Sequence, residues 1–110
     1  MNVKELAEAE NLEILALPDP NAQAQGVYTG DLLSYVMGRV SAGECWVTIM
    51  DNINVLAVAS LAGCACVVLA ENAPASEEFI KTAEAKDVNV LRSSDTSAKL
   101  CCVLGRRFGM

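Results

Sequence analysis

The chain has 110 residues, of which 53% are hydrophobic and only 5% aromatic, and its formal net charge is -6. This length predicts one domain over residues 1-110, with a core built mainly from Ala, Val, Leu and Ile. The acidic balance argues against binding to nucleic acid or to an anionic membrane surface, because both are held by clustered Lys and Arg.

The first part of the chain is predicted to be only partly regular. A short helix begins near Val3, with Asn2 as its cap, and the apolar run LEILAL reads as a strand. The segment PDPNAQAQG is rich in residues that interrupt both regular structures and predicts a loop. The next segment, VYTGDLLSYVMGRV, fits either a strand or a helix, and Asp31 is placed to cap a helical turn.

From Gly43 onward, strands and helices alternate. ECWVTIM, CACVVLA and VNVL are apolar strands, and each is followed by a helix: DNINVLAVASLAG, SEEFIKTAEAKD and DTSAKLCCVLGRR. Helical crossovers return the chain for parallel pairing, and continuous apolar strands suit a sheet covered on both faces. The predicted fold is therefore α/β, a three-layer sandwich with a mainly parallel sheet of repeated β-α units and CACVVLA at its centre.

No apolar run approaches the ~20 residues that a membrane span requires. Three glutamates within the first ten residues also make the N-terminus unlike a signal peptide. We therefore expect a cytoplasmic protein without membrane partners.

The sequence predicts neither a metal site nor a catalytic centre. It contains five cysteines, no CxxC pair and no histidine, and all the cysteines lie in or beside apolar runs, where reduced and buried thiols are expected. Without histidine, a serine or cysteine nucleophile would need a carboxylate or lysine as its base. We expect no cofactor, no metal and no enzyme activity, with a small enzyme using carboxylates as the remote alternative.

Polar residues follow the predicted parallel strands where ligands collect in such sheets, beyond the carboxyl ends. The candidate ligand-binding residues are Asp51, Asn52, Ser93, Ser94, Asp95 and Thr96. Thr29 and Asp31 join this group if their loop lies at the same edge, which depends on the strand order. The alternative is that these side chains only cap helices, and Asp95 and Thr96 are expected to start the last helix in either case.

The helix NINVLAVASLAG has almost no polar face, so a second surface must cover it. One candidate is the N-terminal segment of the same chain. The other is a second copy, since symmetric pairs commonly bury a shared apolar patch. The sequence thus predicts a homodimer through Ile53, Leu56, Val58 and Leu61.

The span from about Gly26 to Leu104 resembles the DRTGG domain family. The resemblance lies in GVYTGDLLSYVMGRVSAGECWVTI, in MDNINVLAVASLAGCACVVLA and in NVLRSSDTSAKL, and GVYTGD retains Gly26, Thr29, Gly30 and Asp31. The pattern is also similar to the N-terminal domain of the Mur ligases and to regions in HPr kinase-like, phosphotransacetylase and pyrophosphatase chains. The resemblance implies a non-catalytic regulatory or ligand-sensing module. The alternative is an interaction module that docks onto a larger metabolic enzyme.

Overall fold

A computed structural model describes residues 1-110, which form five strands and five helices. The helices are α1 (Val3–Ala9), α2 (Leu33–Val36), α3 (Ile53–Ala62), α4 (Glu77–Ala85) and α5 (Ser97–Arg107). The strands are β1 (Glu13–Ala16), β2 (Gly26–Thr29), β3 (Glu44–Thr48), β4 (Cys66–Leu69) and β5 (Val90–Arg92). The ambiguous segment of the sequence thus contains both a strand, β2, and a single helical turn, α2.

The strands form one sheet in the order β1-β5-β4-β3-β2. The pairs from β2 to β5 are parallel, which confirms the mainly parallel α/β sheet and the central position of CACVVLA. β1 pairs antiparallel with β5, placing Glu13 opposite Arg92. The beginning of β1 therefore lies at the edge of the sheet where the parallel strands end.

Side-chain caps begin four of the helices. Asn2 and Glu5 form a capping box on α1, and Asn52, Ser76 and Thr96 each accept a hydrogen bond from a backbone N–H in the first turn of their helix. Such caps stabilise a helix by about 1 kcal/mol each, because they satisfy N–H groups that have no partner within the helix. The caps fix the directions in which the loops leave the strands.

The core consists of two apolar clusters, to which the strands contribute alternate residues. Trp46 and Val67 belong to the cluster that includes residues of α2, α3 and α4. Cys45 and Val68 belong to the cluster that includes residues of α1 and α5. Strand side chains alternate between the two faces of a sheet, so each helix group packs against its own set of strand residues.

The structure divides the apolar helix α3 into an inner and an outer side. Leu56 is fully buried in the core of the same chain, and Val58 is 7% exposed in the wall of a small surface pocket, so these two of the four predicted dimer residues offer little surface to a partner. Ile53 and Leu61 remain accessible, with exposed fractions of 45% and 85%. Helices α2 and α4 pack beside α3 and cover part of the apolar surface that the sequence assigned to another copy. No helix combines the length and apolar character needed to cross a bilayer.

Candidate functional site

A polar recess lies where β5 ends and β1 begins. Its volume is about 360 Å³, and no hydrophobic side chain lines it. We call it the β5 recess, and its lining consists of Glu10, Asn11, Glu13, Asn72, Arg92, Ser93, Ser94 and Asp95. Five segments meet here: the end of α1 with its following turn, β1, the loop after β4, the end of β5, and the loop that joins β5 to α5.

Backbone hydrogen bonds join the two loops that follow β4 and β5. The Glu71 N–H donates to the Asp95 carbonyl at 2.8 Å, and the Asn72 N–H donates to the Ser93 carbonyl at 2.9 Å. Glu71 and Asn72 adopt φ angles of 57° and 52°, a left-handed conformation uncommon for residues other than glycine. Two consecutive residues in this conformation require surrounding structure to hold them, and the bonds between the loops provide it.

Each carboxylate of the recess has a cationic partner. Arg92 Nε lies 2.9 Å from Glu13 Oε1, Arg107 Nη2 lies 2.6 Å from Glu10 Oε2, and Lys99 Nζ lies 3.6 Å from Asp95 Oδ1. The hydrogen bond from Arg92 lowers the pKa of Glu13 below its ordinary value, and the same bond raises the pKa of Arg92. The charges are balanced, so the recess has neither an unpaired cation for a phosphate nor an unpaired carboxylate for an amine.

The uncharged side chains of the recess are hydroxyls and amides. Ser93 Oγ accepts from the Asp95 N–H at 3.0 Å, and this bond fixes the turn. Ser94 is exposed in the wall of the recess, as is the amide side chain of Asn72. Hydroxyl and amide groups donate as well as accept hydrogen bonds. The arrangement can therefore satisfy a polar, uncharged molecule.

The structure gathers three of the eight predicted site residues, Ser93, Ser94 and Asp95, in the β5 recess. Thr96 caps α5 by accepting from the Lys99 N–H at 3.2 Å. Asp95 precedes this cap and forms an ion pair with Lys99, so the prediction that Asp95 itself caps the helix is wrong. Thr96 takes that role because its backbone is extended directly before the first helical residue.

Two other predicted site residues, Asp51 and Asn52, follow β3. Asn52 caps α3 by accepting from the Asn54 N–H at 3.0 Å. β4 separates β3 from β5, which puts the two strand ends about 10 Å apart. Asp51 and Asn52 are therefore not part of the recess lining.

The remaining pair, Thr29 and Asp31, lies near the far edge of the sheet. Asp31 does not cap α2, whose first turn has no side-chain cap. Its Oδ1 instead accepts from the Thr48 hydroxyl at 2.8 Å and from the Ile49 N–H at 3.0 Å, because the turn after β2 brings it over the end of β3. Thr29 lines a separate groove between β2 and α5.

The sequence did not identify Glu10, Asn11 and Glu13 as neighbours of Ser94. Their position depends on the antiparallel pairing of β1 with β5, which no local pattern specifies. One signal was present in the sequence: Arg92 is a lone basic residue at the end of an apolar strand. A cation in that position needs a carboxylate partner, and Glu13 is that partner.

The cysteines lie outside the recess. Cys45 and Cys66 are buried neighbours on β3 and β4, and their contact together with burial raises the pKa of Cys66 well above its ordinary value. Burial raises the pKa of Cys64 to about 11 and also raises that of Cys101. Cys102 is the exposed thiol. Raised pKa values suppress the thiolate, the form that attacks electrophiles.

Comparisons with known proteins identify the fold. No family model matches the sequence, and no curated protein is significantly similar to it. The structure is similar to a crystal structure of the CBS and DRTGG domains of the regulatory region of Clostridium perfringens pyrophosphatase, complexed with its activator diadenosine tetraphosphate. The TM-score is 0.70 at 13% sequence identity, and the match covers 94% of this chain and 45% of the other. The chain thus spans less than half of that regulatory region and shares its fold over the matched part.

Proposed function

We propose that this chain is a non-catalytic regulatory module that senses a small polar ligand in the β5 recess and acts as a homodimer. In this proposal, residues 1-110 form one DRTGG-like domain, a three-layer α/β sandwich with its core at about 26-104. The observation that carries the proposal is the recess itself. It is an open recess lined only by polar and charged residues at the carboxyl edge of a parallel sheet, where such folds commonly bind ligands.

The construction of the recess favours binding over simple capping. Capping requires Thr96 and Asn52, neither of which lines the recess. Backbone hydrogen bonds between the loops after β4 and β5 position Asn72 and Ser94 in the absence of a ligand. A preformed polar cavity reduces the entropy lost on binding.

The comparison supports a regulatory role. The similar structure is a regulatory region, and its activator is a dinucleotide. Regulation also fits the ion pairs of the recess, because carboxylates that are already paired with Arg92, Arg107 and Lys99 are poorly placed to act as general bases.

The charge balance of the recess indicates the class of ligand. A polyphosphate would meet three carboxylates whose cationic partners are already engaged, whereas a nucleoside or a sugar needs only hydrogen-bonding groups. We therefore propose an uncharged ligand with several hydroxyl or amide groups. Adenosine represents this class, and ATP and diadenosine tetraphosphate represent the charged alternatives.

A thermal-shift experiment tests the proposal. The purified chain is heated with millimolar adenosine, other nucleosides, sugars, ATP or diadenosine tetraphosphate. A ligand at about 100 times its Kd stabilises the folded state by about 2.7 kcal/mol, which raises the melting temperature of a domain this size by roughly 10 °C. We expect such a rise with at least one uncharged compound and a smaller one with its phosphorylated form.

Matched variants show whether the ligand that raises the melting temperature binds in the β5 recess. Ser94→Ala should reduce the shift, whereas Ser34→Ala, which changes an exposed serine on α2, should leave it intact. Asn52→Ala should lower the melting temperature through its lost cap but keep the response to the ligand. If no compound stabilises the chain, or if Ser94→Ala responds as fully as the parent, the recess is not a ligand site.

A second candidate function is docking onto a larger enzyme. The observation that favours it is the accessible side of α3, where Ile53, Ala57 and Leu61 are exposed at helical spacing. This side is also the part of the predicted dimer contact that remains available. A co-purifying enzyme that is lost from Leu61→Lys, in a chain that no small molecule stabilises, would favour docking over sensing.

A further inference from the structure

β2 is an open edge of the sheet, because only β3 pairs with it. In a parallel pair, alternate residues of a strand direct both backbone groups toward the neighbouring strand. The Gly30 N–H donates to the Val47 carbonyl at 3.3 Å, so Tyr28, two residues earlier, also faces β3. Val27 and Thr29 therefore direct their N–H and C=O groups away from the sheet.

The two edges of this sheet differ in their protection. Edge strands avoid unwanted pairing through charged side chains, prolines or irregular register. β1 has all three: the charged Glu13, a register shift between Ile14 and Ala16, and Pro18 just beyond the strand. β2 reads GVYT and contains no charge, no proline and no bulge. This contrast is expected if β2 has a pairing partner.

A groove runs beside the open edge, between β2 and α5. Its volume is 570 Å³, and its lining is Val27, Thr29, Cys101, Cys102, Gly105, Arg106 and Met110. None of these residues has an acidic side chain, although the chain as a whole is strongly acidic. Arg106 also has no ion-pair partner within its own chain, whereas the adjacent Arg107 binds Glu10.

We propose that β2 pairs antiparallel with the β2 of a second copy, about a two-fold axis that passes through Tyr28. Val27 then lies opposite the partner's Thr29, and Thr29 lies opposite the partner's Val27. Each opposed pair exchanges two N–H to C=O hydrogen bonds, which is the closely spaced arrangement of an antiparallel ladder. All the outward-directed backbone groups of Val27 and Thr29 gain partners in this register.

The position of α5 fits this pairing. α5 packs over β2 and β3, which are about 4.8 Å apart, so its axis is placed midway between these two strands. The two-fold axis lies half a strand spacing beyond β2, on the other side. The axis of α5 is therefore about 5 Å from the two-fold axis. The two copies of α5 would then be about 10 Å apart, within the spacing of packed helices, which is 8–10 Å. Cys102 is exposed on the side of α5 that lines the groove, and its small side chain allows close approach. The groove of each copy is filled by the helix of the other.

This inference rests on the proposed homodimer and assigns its contact to β2 and α5 instead of α3. Sedimentation of the full chain at about 100 µM, a concentration at which dimers of modest affinity form, tests it. Thr29→Pro removes an outward N–H without removing a bond to β3, and proline is tolerated on edge strands. Thr29→Val is the matched control, because it also lacks the side-chain bond to the Val47 carbonyl but keeps its N–H.

We expect the parent and Thr29→Val to be dimers and Thr29→Pro to be a folded monomer by circular dichroism. A substitution on α5 provides a test that does not depend on proline: Cys102→Arg places a large charged side chain where the two α5 helices meet, so it should weaken the dimer about tenfold or more. A dimer that survives both Thr29→Pro and Cys102→Arg but is lost in Leu61→Lys would overturn the β2 contact and leave the proposed homodimer intact. A parent that sediments only as a monomer would refute both.

Discussion

The Asp31 carboxylate is expected to stabilise the fold by holding the turn after β2 against the end of β3. Its Oδ1 accepts hydrogen bonds from the Thr48 hydroxyl and the Ile49 N–H. Thr48 is fully buried, so Asp31→Ala leaves a buried hydroxyl without its acceptor, whereas water can reach Ile49, which is 46% exposed. The buried hydroxyl dominates the cost, and we expect the free energy of unfolding to fall by about 1 to 3 kcal/mol.

Urea denaturation followed by tryptophan fluorescence measures this loss. Trp46 is the only tryptophan, is fully buried, and donates from Nε1 to the Gly30 carbonyl at 3.0 Å, so its emission reports on the same turn. With a slope of about 1.5 kcal/mol/M, a loss of 2 kcal/mol lowers the midpoint by about 1.3 M. Asp31→Asn keeps an acceptor oxygen and should lose about half as much or less.

A double-mutant cycle tests the physical reason for the loss. Thr48→Val removes the hydroxyl that Asp31 satisfies, so Asp31→Ala should cost clearly less in that background than in the parent. A midpoint shift of less than ~0.3 M for Asp31→Ala would contradict the stabilising role of its carboxylate. An equal loss of stability with and without the Thr48 hydroxyl would show that this buried group has no part in it.

Three other predictions follow from caps, charges and thiols. Thr96→Ala should lower the free energy of unfolding by about 1 kcal/mol and Asp95→Ala by less than about 0.5, so the opposite order in urea would contradict the assignment of the cap. The hydrogen bond from Arg92 lowers the pKa of Glu13 in the folded state. The ionised Glu13 side chain therefore stabilises the fold above its unfolded pKa, and this contribution is lost as the pH falls through its folded pKa. Glu13→Gln should therefore melt below the parent at pH 7, and the difference should shrink as the pH is lowered below 4.5, whereas a constant difference across pH would refute the role of its charge. A thiol reagent at pH 8 should modify Cys102 first, and equally rapid modification of Cys64, whose pKa is about 11, would contradict its burial.

The local sequence predicted those parts of the fold that local interactions determine. Asn52, Ser76 and Gly63 bound helices where the pattern placed them, since caps and left-handed glycines act within a few residues. CACVVLA lies at the centre of the sheet because a strand buried on both faces must be apolar throughout. These features needed no knowledge of the rest of the chain.

The candidate site was predicted only in part, because its geometry depends on strand order. The antiparallel return of β1 to β5 brings Glu13 to Arg92, although 79 positions separate them in sequence. The same strand order separates Asp51 and Asn52 from Ser94. Asp31 precedes a short helix in the manner of a cap, but its carboxylate finds stronger partners on β3, so the tertiary contact prevails over the local pattern.

The measurement that tests the central claim most directly is amide chemical-shift mapping of the ¹⁵N-labelled chain, titrated with nucleosides, sugars and small amides. We expect saturable shifts that are concentrated at Glu71, Asn72, Ser94 and Asp95 and reduced in Ser94→Ala. No comparable shifts are expected at Asn52 or at Thr29, which lie at other positions along the sheet edge. If no compound perturbs the recess amides, or if the shifts are centred elsewhere, the β5 recess is not the sensing site.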